Sequence, residues 1–129
     1  MQYKIVPAIM SHKIVTERTV ERSSQLLKGV LEMCLLAVIA EEPSYGYEMA
    51  RKLENRGLTL VGEGTIYPLL SRLGRQHLIE AYTEQSPGGP PRKYYRIAEA
   101  GRHRLDEWIG EWRALSDGVD RIVTGVRHG

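Results

Sequence analysis

One cysteine, Cys34, has to serve all 129 residues, so the chain can form no intrachain disulfide. Cys34 lies inside the apolar run from Leu31 to Ala40, where a buried structural thiol is expected rather than a nucleophile. That run is too short for a bilayer, which takes about 20 apolar residues to cross. Residues 1–25 also lack the basic start, apolar centre and small-residue cleavage site of a secretory signal. A cytoplasmic protein with no membrane partner is therefore expected. Charge of one sign is scarce as well: 18 basic residues face 16 acidic ones, and a net charge of +2 does not announce a polyanionic partner. His12, His77, His103 and His128 show no metal-ligand spacing, and with a lone cysteine a zinc site is not expected. The fragment Gly62, Glu63, Gly64, Thr65 resembles part of a phosphate loop, but no lysine follows it. No nucleophile motif or carboxylate pair stands out, so the expectation is no catalytic residue, no metal and no cofactor.

What is present is concentrated between Glu63 and Arg72. Ile66, Leu69, Leu70 and Leu73 recur at i, i+3, i+4 and i+7, one apolar stripe of a helix that must face a core. Thr65, Tyr67, Pro68, Ser71, Arg72 and Arg75 are left on the other side. A hydroxyl, a phenol and guanidinium groups near the start of an exposed helix suit base edges and phosphates in a DNA major groove. An ordinary solvated face is the bland alternative, and Tyr67 has a second alternative as packing against the preceding helix. The distribution of charge favours the first reading. Residues 64–97 hold five basic residues, Arg72, Arg75, Arg92, Lys93 and Arg96, against Glu80 and Glu84, and the rest of the chain carries a slight acidic excess.

The flanking elements give that helix a context. Ser23 or Ser24 is a candidate cap for a helix from about Leu26 to Glu41 that is apolar nearly all round, and Pro43 ends it. Ser44 is expected to start a second helix, roughly Tyr45 to Asn55, with Tyr47, Ala50 and Leu53 on one face and Gly57 as a left-handed cap. Leu58 to Val61 reads as a brief strand or extended linker. After the third helix, Leu78 to Thr83 is a strand candidate. Ser86 to Pro91 should form an exposed turn, and Arg92 to Ile97 the returning strand, with Tyr94 and Tyr95 on opposite faces. Helix, helix, short strand, helix and hairpin in that order make a winged helix-turn-helix. The fold class is thus mainly α with a small β-hairpin.

Beyond the hairpin, Leu105, Trp108, Trp112, Leu115, Val119, Ile122 and Val126 follow alternating spacings of three and four, a heptad seam widened by Ile109 and Val123. A chain of this size has little left to cover such a seam. A second copy can do so, as a symmetric homodimer, the commonest oligomer. The alternative is a helix folded back on its own core. Gly110, Gly118 and Gly125 each cost a helix about 1 kcal/mol relative to alanine, so its end is expected to fray.

Four ordered motifs now carry a family resemblance. They are Leu26, Leu27, Lys28, Gly29 near the first helix; Tyr45, Gly46, Tyr47, Glu48 opening the second; Glu63 to Leu70 opening the third; and Gly88 to Tyr95 in the wing, followed by the step Ala98 to Gly101. Over about residues 24–115 the chain resembles PadR-family transcriptional regulators. The resemblance implies a dimeric winged-helix repressor, often responsive to small aromatic or drug-like molecules, that reads DNA with its third helix and wing. It makes residues 24–97 the DNA-binding domain, 98–129 a C-terminal dimerisation helix, and 1–23 an N-terminal extension longer than the family needs. On this reading the partners are double-stranded DNA, a second copy of the chain and a small aromatic effector.

The DNA-contact candidates are Thr65, Tyr67, Ser71, Arg72 and Arg75 on the helix, with Arg92 and Lys93 on the wing. Leu105, Trp108, Trp112, Leu115, Val119 and Ile122 are the dimerisation candidates. Trp108 and Trp112, one turn apart, are also candidates for stacking on an aromatic effector. Two other classes compete: an interaction module that keeps the fold without reading DNA, which salt-sensitive DNA binding would separate, and an enzyme, for which a cofactor spectrum is a cheap check.

Overall fold

The computed structural model describes residues 27, 30–59 and 61–128. Its elements, in order, are α1 (Leu31–Glu41), β1 (Ser44–Tyr45), α2 (Gly46–Asn55), α3 (Glu63–Arg75), β2 (Ile79–Ser86), β3 (Gly89–Ile97) and α4 (Glu99–His128). This is the expected winged helix-turn-helix followed by a long C-terminal helix. A compact unit spans Val30–Gly110, so it takes in the first turns of α4 as well as the hairpin.

The core of that unit is assembled from one stripe per helix. Leu31, Leu35, Leu36, Val38 and Ile39 of α1, Met49 and Leu53 of α2, and Ile66, Leu70 and Leu73 of α3 are buried. Val61, Leu78, Ile79, Tyr95 and Leu105 complete it. Each such side chain contributes about 1.5–3 kcal/mol by leaving water. The stripe foreseen on α3 is thus the buried one, with Leu69 at its half-buried edge. Cys34 is half-buried rather than fully enclosed, and burial pushes its thiol pKa up, which keeps it protonated and poorly nucleophilic.

Several local expectations are corrected. Of the helix expected from about Leu26, the described part is Leu27, which is helical, and Leu31–Glu41, with a break at Val30, which leaves helical geometry at φ −124° and ψ −4°. The proposed caps Ser23 and Ser24, and Leu26, lie outside the described residues. Ser44 does not cap α2. It pairs with Tyr95 as Tyr45 pairs with Tyr94, so this dipeptide forms the third strand of a sheet ordered β1-β3-β2. The fully buried Ser44 hydroxyl donates to the Glu42 carbonyl at 3.1 Å and accepts from Lys52 Nζ at 2.8 Å. The cap of α2 is Tyr45, whose N–H donates back to Glu48 Oε1 at 3.3 Å, one arm of a capping box. The buried face of α2 is Gly46, Met49 and Leu53; Tyr47 is turned outward. Gly57 does take the left-handed conformation after the helix, at φ +106°. No strand forms over the described part of 58–61, where Val61 is simply buried.

The hairpin is longer than its prolines suggested. Ser86 pairs with Gly89, so only Pro87 and Gly88 turn, proline first and glycine second at φ +69°, as a type II turn requires. Pro90 and Pro91 belong to β3. They are tolerated because β1 covers that strand only at Tyr94 and Tyr95, leaving one edge at the prolines without a ladder to break.

At the far end of the wing, Ala98 N–H donates to the Leu78 carbonyl at 3.0 Å. Gly101 sits against the same carbonyl, and a Cβ there would come within 2.1 Å of its oxygen. Backbone cannot yield as a flexible side chain does. Gly101→Ala is therefore expected to destabilise the unit by about 1–3 kcal/mol despite alanine's better helix propensity, as a lowered urea midpoint would report.

Candidate nucleic-acid interface

The helix α3 begins at Gly62, whose carbonyl accepts from the N–H groups of Thr65 and Ile66 at 3.0 and 3.3 Å. Glu63 occupies its first turn and Arg72 and Arg75 its last, the arrangement that complements the helix dipole. Burying Ile66, Leu70 and Leu73 leaves Thr65, Tyr67, Ser71, Arg72 and Arg75 on the opposite side.

Tyr67 has two roles. Its ring covers Gly46, where a Cβ would lie 2.6 Å from the phenol oxygen, so that glycine is the hole into which the ring fits. The packing alternative for Tyr67 therefore holds, yet the residue keeps 46% exposure. Its hydroxyl donates to Glu63 Oε1 at 3.0 Å. Desolvation first, and then the Glu63 carboxylate, raise the phenol pKa, so Tyr67 stays a neutral donor.

An open groove of about 710 Å³ runs between α3 and the wing. Tyr67, Ser71 and Arg75 form one wall and Arg92 and Lys93 the other. Five of the seven DNA-contact candidates thus share one concavity. Thr65 and Arg72 do not line it. The Arg72 guanidinium instead lies 3.3 Å from Glu32 on α1 through its Nε. Arg75, Arg92 and Lys93 have no carboxylate within 4 Å among the described residues, whereas Arg96 is held by Glu80 at 3.2 Å. Among the described residues the groove thus carries unpaired positive charge, the form that phosphate recognition uses.

Strand pairing explains how the wing presents these groups. In β3, Lys93 and Tyr95 share the face toward α3, and Lys93 Nζ lies 5.9 Å from the Tyr95 ring centre. Alternation gives Arg92, Tyr94 and Arg96 the other face; Arg92 nonetheless lines the groove, as does Tyr45, over whose ring it lies. On that other face Tyr45 and Tyr82 flank Tyr94 at 5.3 and 5.8 Å between ring centres, with Arg92 4.7 Å over Tyr45 and Arg96 4.6 Å over Tyr82. This aromatic ladder is not legible in the sequence. Alternation places Tyr94 on one face, but its partners depend on the Tyr82↔Tyr94 register and on β1 being a strand at all. Stacked on Tyr45, Arg92 is pre-oriented rather than free to wave.

The proposed dimer seam divides. Leu105 is buried within the compact unit of its own chain, so its burial needs no second copy. Trp108 is half-buried, with the Arg104 guanidinium 5.7 Å over its ring. Further along α4, Trp112 at 43%, Leu115 at 63%, Val119 at 50% and Ile122 at 71% are exposed. No helix among the described residues is long and apolar enough to cross a membrane, and no group of metal-binding side chains occurs among them.

Three helices, a two-stranded wing with a short third strand, and a cationic groove between the third helix and the wing define the class: a winged helix-turn-helix regulator. The match can be made narrower. The model of the transcriptional regulator PadR-like family matches residues 35–107. A PadR-like transcriptional regulator from Bacillus cereus has a similar structure, with a TM-score of 0.71 and 45% identity over 77% of this chain and 96% of that one. A PadR family regulator from Eggerthella lenta is similar at TM-score 0.74 and 33% identity, covering 83% and 93% of the two chains. An uncharacterised protein of Lysinibacillus sphaericus is 33% identical over 105 residues, which are 80% of this chain and 96% of that protein. The chain belongs to the PadR-like family of transcriptional regulators, and it is a regulator rather than an enzyme.

Proposed function

We propose that this chain is a sequence-specific, ligand-responsive repressor that acts in the cytoplasm as a homodimer on an inverted-repeat operator. The observation that carries the DNA-binding part is the groove. Tyr67, Ser71 and Arg75 face Arg92 and Lys93 across it, and its three cations are unpaired among the described residues. In the proposed complex α3 enters a major groove while the wing follows the flanking backbone, with Thr65, Tyr67 and Ser71 near base edges or phosphates. Half-site centres would lie about 34 Å apart, one helical turn. Regulation then needs both subunits, and the exposed apolar stripe of α4 supports a second copy as its cover.

The test is the salt dependence of binding to a duplex from the promoter nearest the protein's own coding region. Each phosphate contact contributes about 0.9 to the slope of log K against log salt. Arg75→Ala and Lys93→Ala should each weaken binding and flatten that slope by about one unit per lost contact, with the circular dichroism spectrum unchanged. Unaltered affinity and slope in both variants would remove the groove from the interface.

The effector part of the proposal concerns Trp108 and Trp112. Their indoles offer stacking faces to flat aromatic compounds, worth about 0.5–2 kcal/mol per contact. Titration of planar aromatic cations and phenolic acids should quench tryptophan fluorescence, and saturating operator should weaken that binding by the factor by which the ligand weakens operator binding. Quenching indifferent to operator and to Trp108→Ala would defeat ligand sensing.

A further inference from the structure

The first helix of the compact unit is almost entirely apolar on its covered side, yet it carries one acid there. Glu32 Oε2 is shielded from solvent and has no aligned hydrogen-bond donor. A buried carboxylate oxygen in that condition needs a cation beside it. The cation is Arg72, whose Nε lies 3.3 Å away, and it is the one basic group paired with Glu32 among the described residues. The two side chains are unequal. Glu32 keeps 23% of its side-chain surface, while Arg72 keeps 57%.

This asymmetry has a chemical consequence. A guanidinium is a planar fork with five donors, and a carboxylate beside its Nε tethers the group by charge to the α1 side of α3 while leaving its outer donors available. Arg72 springs from the exposed face of α3, one residue after Ser71 on the groove wall. Without an anchor its side chain would sample many rotamers and lose that freedom on binding. With Glu32 behind it, that cost is met when the chain folds.

We infer that Glu32 is a positioning residue for DNA recognition: it holds the Arg72 guanidinium in the orientation in which its outer donors read a base edge or a phosphate beside the groove. The inference rests on the DNA-binding reading above, and it ties α1 to the specificity of α3. It also explains why Arg72, alone among the four basic DNA-contact candidates, is paired with an acid among the described residues. Glu32 touches no DNA itself.

The experiment uses the full chain and two probes: a duplex selected by the wild-type protein from a random pool, and a random-sequence duplex of equal length. Glu32→Ala should lower the ratio of the two affinities about tenfold, within what one well-placed arginine contributes to base discrimination. Glu32→Gln keeps the shape but removes the charge, and because no aligned hydrogen bond joins the pair it should lower the ratio almost as far as Glu32→Ala. In an Arg72→Ala background, Glu32→Ala should change the ratio no further, because the acid then has nothing to position. A purely structural role for Glu32 would make the two effects add, and that result overturns the inference. A second readout needs no DNA: the Arg72 Nε–H signal in nitrogen-15 relaxation should report a restricted side chain in the wild type and a mobile one in Glu32→Ala. Equal mobility in both also overturns it. If the wild type selects no sequence from the pool, the DNA-binding reading fails, and the role of Glu32 in recognition falls with it. If selection succeeds but the ratio is unmoved in Glu32→Ala, only the positioning role fails.

Discussion

Replacing Leu115 by glutamate is expected to dissociate the proposed dimer and to carry most of the DNA affinity away with it. Leu115 is 63% exposed on a single chain, and Val119, Ile122 and Val126 continue the same stripe with half or more of their surface in water. A row of four large apolar side chains on one helix face is costly in solution, and a second copy of the same helix can cover it about a two-fold axis. In such an arrangement, the carboxylate introduced in each subunit would lie near its symmetry mate with no cation to compensate. An unpaired carboxylate removed from water costs several kcal/mol, and two of them repel as well. The compact unit Val30–Gly110 does not contain Leu115, so its fold should survive. Light scattering at micromolar concentration should give the mass of one chain, near 14.6 kDa. Affinity for a two-half-site duplex should fall at least a hundredfold, because the second half-site no longer binds intramolecularly at high effective concentration. A variant that scatters as a dimer would show that the stripe is covered by something other than its counterpart.

Residues differ in how much of this can be read from the chain. The buried stripe of α3 is legible because helical periodicity is local, and Ile66, Leu70 and Leu73 need only each other to be recognised. The exposed face follows by subtraction, and with it the five candidate DNA contacts on that helix. Ser44 misleads for a physical reason. A serine before a helix ordinarily caps it, but here its backbone is taken up by Tyr95, fifty-one residues later, and its hydroxyl by Lys52. Only the tertiary pairing decides between those outcomes. The wing reads too short because prolines usually end strands, and their tolerance depends on how far the neighbouring strand reaches. Tyr67 shows a different case, in which packing does not use up the residue: its ring packs on Gly46 while it stays half exposed on the groove wall. The pairing of Arg72 with Glu32 is beyond sequence, since nothing in a 40-residue separation brings an acid on α1 to a base on α3.

Charge reversal at Lys93 is expected to produce the largest loss confined to the DNA interface. Lys93 stands on the groove side of β3 opposite Thr83, with no carboxylate within 4 Å among the described residues, so a glutamate there meets no close anion and should leave the wing folded. The loss can be built from counterion release. A phosphate contact that contributes about 0.9 to the salt slope is worth about eightfold in affinity at 0.1 M salt relative to 1 M. A dimer loses two such contacts, or about sixtyfold, and the two new carboxylates beside the phosphates add repulsion to that. Because the Debye length is about 10 Å at 0.1 M salt, the repulsion acts locally and fades as salt is raised. Lys93→Glu should therefore bind more than about sixtyfold more weakly than the wild type at 0.1 M salt, Lys93→Gln nearly sixtyfold, and both should converge on the wild type toward 1 M. The effect should also be blind to sequence, since a wing contact to the backbone carries no base information. Selected and random duplexes should weaken by the same factor, in contrast to Glu32→Ala, which should alter their ratio. Titrations of both duplexes across a salt series measure all of this at once. Affinities that stay within about twofold of the wild type at 0.1 M salt would place the wing away from the phosphates and leave recognition to α3 alone.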